Sequence, residues 1–242
     1  MPWDETLLVW LNQLLALNQQ TFFAGLFLAD RVPLVLSAMV IVGLWYTGKA
    51  GNLQPQSGQL SRHDSRWRVL LIFLSTVIAF MLARWLSGLL FRPAPLLDVS
   101  LQVPIDPHIW AGIVEQFRGS GAFPSDHAAF WFALTAGLFT YNWRAGLTAG
   151  LASLFFSALR VGVGYHYPSD MVAGACLGIL ILVGVFSMRS KLTWVTHPTL
   201  RFFEKTSVVA YPLGLLLMLD ITQRMAWLFG LLATLLGIRG VP

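Results

Sequence analysis

A single cysteine in 242 residues, and charged side chains at only 11%, set the first limits on this chain. Cys176 lies in an apolar run, which excludes an intramolecular disulfide and argues against a thiolate metal cage. No stretch reads as a soluble domain, no low-complexity tract or inverted internal repeat is evident, and no nucleic-acid motif or cofactor box occurs. The start, Met1-Pro2-Trp3-Asp4-Glu5, is acidic and lacks the basic opening of a secretory signal, so no cleavage is expected. A carboxylate cluster of the kind that holds divalent metals is also missing.

What the chain has in abundance is apolar length. Hydrophobic residues make up 56%, mean hydropathy is +0.67, and several runs approach the roughly 20 residues that span a bilayer as a helix. The expected fold class is therefore all-α: a polytopic transmembrane bundle of about six spans, in one membrane domain over 1–242 with a catalytic core at about 69–188. The net charge of +5 comes from basic residues in short loops, which fits membrane orientation better than nucleic-acid binding.

Residues 7–28 are interrupted by Asn12, Gln13, Asn18, Gln19 and Gln20, a mixture that suits an interfacial helix. The first span is centred on 34–46, beginning as early as Phe22. A basic loop follows over 49–68, then a span over 69–91 that ends at Arg92-Pro93-Ala94-Pro95, where proline breaks the helix. A loop over 96–120 holds a short helix at 109–117. Spans at 125–141, 145–163 and 168–188 come next, then a sixth at 207–219. The segment 225–238 is a further span or an interfacial helix.

The spans at 125–141 and 145–163 are joined by Asn142, Trp143 and Arg144, a connection short enough to make them antiparallel neighbours. His127 lies sixteen positions before Trp143 and Arg160 seventeen after it, so the two belong at one height. Pro168 suits the first turn of the next helix, which brings His166 and Asp170 to the same end. Arg84 and Arg92 also map there. Ionisable groups at a membrane boundary are functional candidates by default, and arginines on the side that the positive-inside rule disfavours call for a bound anion. Guanidinium groups match phosphate oxygens in a planar, multidentate way.

Ser125 opens a helix, either as its cap or as a phosphate donor, and the free amides of that helix start favour an anion. His166 is the nucleophile candidate, with Asp170 four positions on to fix its tautomer, and His127 is placed to protonate the departing oxygen. Read singly, each of these residues has a plain structural role as well. Their coincidence at one face is the signal.

The pattern resembles the type 2 phosphatidic acid phosphatase superfamily, whose signatures are Lys-x6-Arg-Pro, Pro-Ser-Gly-His and Ser-Arg-x5-His-x3-Asp. This chain has Arg84-x7-Arg92-Pro93, Pro124-Ser125-Asp126-His127 and Leu159-Arg160-x5-His166-x3-Asp170. The resemblance covers about 84–188. It implies a phosphohistidine on His166 assisted by Asp170, His127 as acid, and Arg84, Arg92, Ser125 and Arg160 on the phosphate, with no metal and no cofactor. Asp126 stands where the family has glycine, as in members resembling bacterial undecaprenyl diphosphate phosphatases, and joins the candidates. The first motif is one residue longer. On a regular helix, eight positions leave Arg84 about 80° from Arg92, where seven leave about 20°.

The expected activity is therefore a lipid phosphatase acting on undecaprenyl diphosphate, at the outer face of a bacterial inner membrane, with lipid phosphate and membrane lipids as its partners. Phosphatidylglycerophosphate, phosphatidic acid and lipid A phosphates are alternative substrates, and a phosphotransferase is the alternative reaction. From other classes, an anion transporter or an inactive scaffold would use the same helices.

Overall fold

The computed structural model describes residues 2–47, 62–206, 210, 213 and 214. Among them are nine α-helices and no strand: α1 (Pro2–Leu15), α2 (Gln19–Thr47), α3 (Arg62–Leu89), α4 (Pro95–Asp98), α5 (Pro107–Phe117), α6 (Asp126–Phe139), α7 (Trp143–Val163), α8 (Pro168–Ser187) and α9 (Thr193–Lys205). Four of the described helices, α2, α3, α7 and α8, are long and apolar enough to cross a membrane. The segments at 207–219 and 225–238 lie outside the described residues, apart from 210, 213 and 214.

At 14 residues, α6 is the shortest of the central helices. It is also the hub: α3, α7 and α8 all pack on it, while α2 packs on α7 and α1 lies across α7 and α8. Its burial is nearly complete, with Ala128, Ala129, Phe130, Trp131 and Ala133 all inside. Small residues bring its neighbours close, as in membrane bundles generally. A Cβ added at Gly178 on α8 would stand 2.1 Å from the Ala129 carbonyl oxygen, so those two backbones touch. Between α6 and α7 the hydroxyls of Thr135 and Ser153 share a buried hydrogen bond of 3.1 Å.

The helix ends follow from local chemistry. Pro168 starts α8 at the expected position, whereas α7 begins at Trp143, two residues before the expected 145, because Asn142 caps it by accepting from Arg144 N. Gly164 closes α7 with φ 89°, a left-handed conformation that glycine adopts without cost. The chain can then double back, so only four residues separate α7 from α8.

Two further boundaries differ from expectation. The first span starts at Gln19, and Pro33 lies inside it; the break falls instead at 16–18, where the Asn18 side chain accepts from Thr21 N. Likewise α3 begins at Arg62, because its basic first turns extend the apolar span instead of forming loop. The 109–117 helix is present as α5, begun by Asp106 accepting from His108 and Ile109 N. The helix expected over 7–28 is divided, with α1 covering Pro2–Leu15 and residues 19–28 belonging to α2. α1 is pinned across the bundle end: Asn12 donates to the carbonyls of Gly162 and Gln102 and accepts from Gln102 N.

Candidate active site

At the end of the bundle where α3 and α7 finish and α6 and α8 begin, a cavity of about 620 Å³ opens. Arg84, Asp126, His127, Arg160 and His166 line it, together with the 116–122 segment that leads into α6. His127 near the start of α6 and Arg160 near the end of α7 face the same space, although the turn centres near Tyr141 and not near Trp143, which is already the first residue of α7.

Both imidazoles are buried, yet their surroundings differ. His166 Nδ1 is 2.9 Å from the Ala122 carbonyl oxygen. A carbonyl only accepts, so Nδ1 carries the proton and Nε2 the lone pair. That Nε2 accepts from Arg160 at 3.4 Å. Burial first, and then the positive charge of Arg160, push the His166 pKa down to about 3, so the ring is neutral at physiological pH. His127 lies between Phe80 and Trp131, both ring edges against it, and its Nδ1 is 2.6 Å from Asp126 Oδ1.

Arg160 is 2% exposed, and its placement depends on a distant proline. Pro33 has no N–H, which leaves the carbonyl four residues earlier without its usual helical donor. That carbonyl belongs to Ala29, and Arg160 donates to it at 3.0 Å. Asp30 Oδ1 stands 3.8 Å from the same guanidinium. Arg84 reaches the cavity from α3 and pairs with Asp126 Oδ2 at 3.2 Å.

Three predicted residues are employed elsewhere. Asp170 does not touch His166: its Oδ2 accepts from Tyr167 N and its Oδ1 pairs with Arg92 at 2.7 Å. The four-residue spacing misleads because His166 precedes α8, so the two never share a helix face, and the carboxylate bonds the amide that begins its own helix instead. Ser125 is fully buried as the cap of α6, accepting from Ala128 N, and does not line the cavity. With His127 N bonded to Asp126, both amides at this helix start already have acceptors, so the expected anion seat there is filled by the chain's own side chains.

Arg92 also turns away. The helix ends at Leu89, so Arg92 lies beyond the helix that carries Arg84 and the two arginines meet different neighbours. Arg92 stacks over Tyr167 at 3.8 Å and donates to Ser169, Asp170 and Asp4. Asp4, from α1, also accepts from the backbone and hydroxyl of Ser169. Burial disfavours its charge, yet these hydrogen bonds and Arg92 hold its pKa below the usual range. Sequence reasoning missed Asp4, although two adjacent acids, Asp4 and Glu5, in the first turn of an apolar helix were a visible signal. Nothing in the sequence marked the carbonyls of Ala122 and Ala29, since backbone atoms carry no motif. Among the described residues no group of histidine, cysteine and carboxylate side chains is arranged to hold a metal ion.

Comparison with known proteins agrees with this layout. The chain is 33% identical over 84 residues to the bacitracin transport permease protein BcrC of Bacillus licheniformis, covering 35% of this chain and 41% of that protein. It is 22% identical over 171 residues to undecaprenyl-diphosphatase BcrC of Bacillus subtilis, covering 71% of this chain and 77% of that one. No solved structure matches. The sequence profile of the PAP2 superfamily matches residues 67–194, the stretch from α3 through α8 that builds the cavity and carries both histidines, and the chain belongs to that superfamily.

Proposed function

We propose that the protein is an integral membrane phosphatase that removes the terminal phosphate of a lipid phosphate or diphosphate, with undecaprenyl diphosphate as its first substrate. The observation that carries this reading is the pairing of two buried imidazoles with two guanidiniums around one cavity at the end of an apolar bundle. His166 attacks phosphorus through Nε2, and the bond from phosphorus to the bridging oxygen breaks. His127 gives its Nε2 proton to the departing oxygen. Water then attacks the phosphohistidine, His127 takes a proton back, the phosphorus–nitrogen bond breaks and inorganic phosphate leaves.

Arg160 and Arg84 offset the negative charge that builds on the phosphoryl oxygens, the work a divalent cation does in other phosphatases. We assign Arg92, Ser125 and Asp170 to the frame around the site. The turns at the opposite end hold Arg144, Arg189 and Lys191, which by the positive-inside rule are cytoplasmic. The cavity then faces the outer side of a bacterial inner membrane. Asp126 in place of glycine, together with the name of the Bacillus subtilis relative, supports the diphosphate substrate. The other relative is named for transport, but a transporter places its ionisable groups near mid-membrane, whereas these sit at one end.

The test is phosphate release from a panel of lipid phosphates by the full chain in detergent, with chelator present, beside the His166→Ala variant. Release from undecaprenyl diphosphate that disappears in the variant is the expected result. Strict dependence on added metal overturns the mechanism, and release only when an acceptor lipid is supplied makes the protein a phosphotransferase.

A further inference from the structure

The carboxylate of this site is attached to the other histidine. Resting on the phosphatase reading above, we infer that Asp126 is a positioning residue that holds His127 as the proton donor, while His166 is served by a neutral backbone carbonyl. Each oxygen of Asp126 is engaged. Oδ1 accepts from His127 N at 2.7 Å and from the ring Nδ1 at 2.6 Å, and Oδ2 accepts from Arg84 at 3.2 Å. The group is anchored at the first residue of α6, so its position is fixed by the helix start.

A carboxylate beside an anion site is at first sight an obstacle, since it repels the incoming phosphate. Here its charge is met by Arg84 and by the His127 ring, and Arg160 lines the same cavity to meet a phosphate. What the carboxylate adds is a defined proton. With Nδ1–H committed to Asp126, Nε2 is the atom that exchanges its proton with a leaving oxygen. His166 has the opposite surroundings, a neutral acceptor at Nδ1 and the cation Arg160 at Nε2, which keep its lone pair available. Two imidazoles in one cavity thereby meet different partners, a carboxylate for one and a carbonyl and a cation for the other, which is how one site divides the parts of acid and nucleophile. Asp170 cannot take this part, because its two oxygens are held by Tyr167 N and Arg92.

The experiment compares two phosphomonoesters with the full chain in detergent: an alkyl lipid phosphate, whose departing alkoxide must be protonated, and p-nitrophenyl phosphate, whose departing aryl oxide needs no proton. In Asp126→Asn, kcat/KM on the alkyl ester is expected to fall about 100-fold, the lower end of what a general acid contributes. On the aryl ester the expected loss is below about tenfold. Asp126→Gly, which removes the carboxylate without placing an amide beside Arg84, is expected to show the same selectivity. In a His127→Ala background Asp126→Asn should cost nothing further, because a residue acting through another has no effect once that other is gone.

Equal losses on both esters, or a full additional loss in the His127→Ala background, overturn the inference and leave the phosphatase reading standing. Wild-type protein inactive on both esters and on lipid diphosphates removes the phosphatase reading and the inference together.

Discussion

Two charged clusters lie at the same end of this bundle, and they are built on opposite plans. Around the cavity, Arg84, Arg160, His127 and His166 face open space with Asp126 as the one carboxylate among them. A short way along, Arg92 is enclosed by Asp4, Asp170, Ser169 and the Tyr167 ring. The first cluster turns its guanidiniums to a cavity with room for an anion. The second closes its charges on one another and ties α1, the end of α3 and the start of α8 together. Arginines drawn from one sequence motif therefore divide by place: Arg84 meets its carboxylate, Asp126, at the wall of the cavity, while Arg92 meets two carboxylates and the Tyr167 ring away from it.

The widest separation between the clusters is expected from His166→Ala. Loss of a nucleophile lowers turnover by about 10⁴-fold or more, while the melting temperature in detergent should hold, because the ring's main polar contacts are a backbone carbonyl and Arg160. Retained turnover in that variant would remove the nucleophile from the account. Arg160→Lys comes next, at about 10²- to 10³-fold in kcat, since an ammonium cannot serve Ala29 O and a phosphate in one plane. An Arg160→Lys enzyme with unchanged kcat and a lower melting temperature would move this arginine into the bracing cluster.

Asp4→Asn tests the second cluster. It weakens hydrogen bonds to a charged partner, worth about 1.5 to 3 kcal/mol when buried, and should lower the melting temperature by several degrees with kcat on a lipid phosphate almost unchanged. If kcat falls at unaltered stability, Arg92 reaches the phosphate and the contrast between the clusters fails.

The smallest effect at neutral pH concerns acid. An unfolded chain protonates His166 near 6.5, whereas the folded protein resists until about 3. The unfolded state therefore binds more protons between those values, so the stability from this group is complete above 6.5 and declines as pH falls toward 3. Melting temperatures of wild type and His166→Gln, compared from pH 7 downward, should separate on acidification, with wild type falling faster. Parallel curves would mean that the ring is not held neutral.

Several features were legible without coordinates. That His127 and Arg160 come to one end of the α6–α7 hairpin was legible from the short connection between two apolar runs, although the turn falls about two residues before Trp143. The start of α8 at Pro168 was legible for a similar local reason, whereas the split of residues 7–28 between α1 and α2 was not. The divergence of Arg84 and Arg92 was half visible, in the extra residue of the motif, but its direction depended on where α3 ended. The supposed contact of Asp170 with His166 failed because a spacing rule for helices was applied across a helix boundary.

By itself, the sequence determined that this is an apolar helical bundle, that it belongs to its superfamily, and that histidines and arginines gather at one end, since those properties follow from composition, periodicity and short-range counting. Only the tertiary structure decided which carboxylate serves which histidine, which arginine faces the cavity, and that Pro33 on α2 leaves the carbonyl that seats Arg160. Such pairings are fixed by which atoms arrive within hydrogen-bond distance once helices far apart in sequence have packed, and a linear pattern holds no record of that distance.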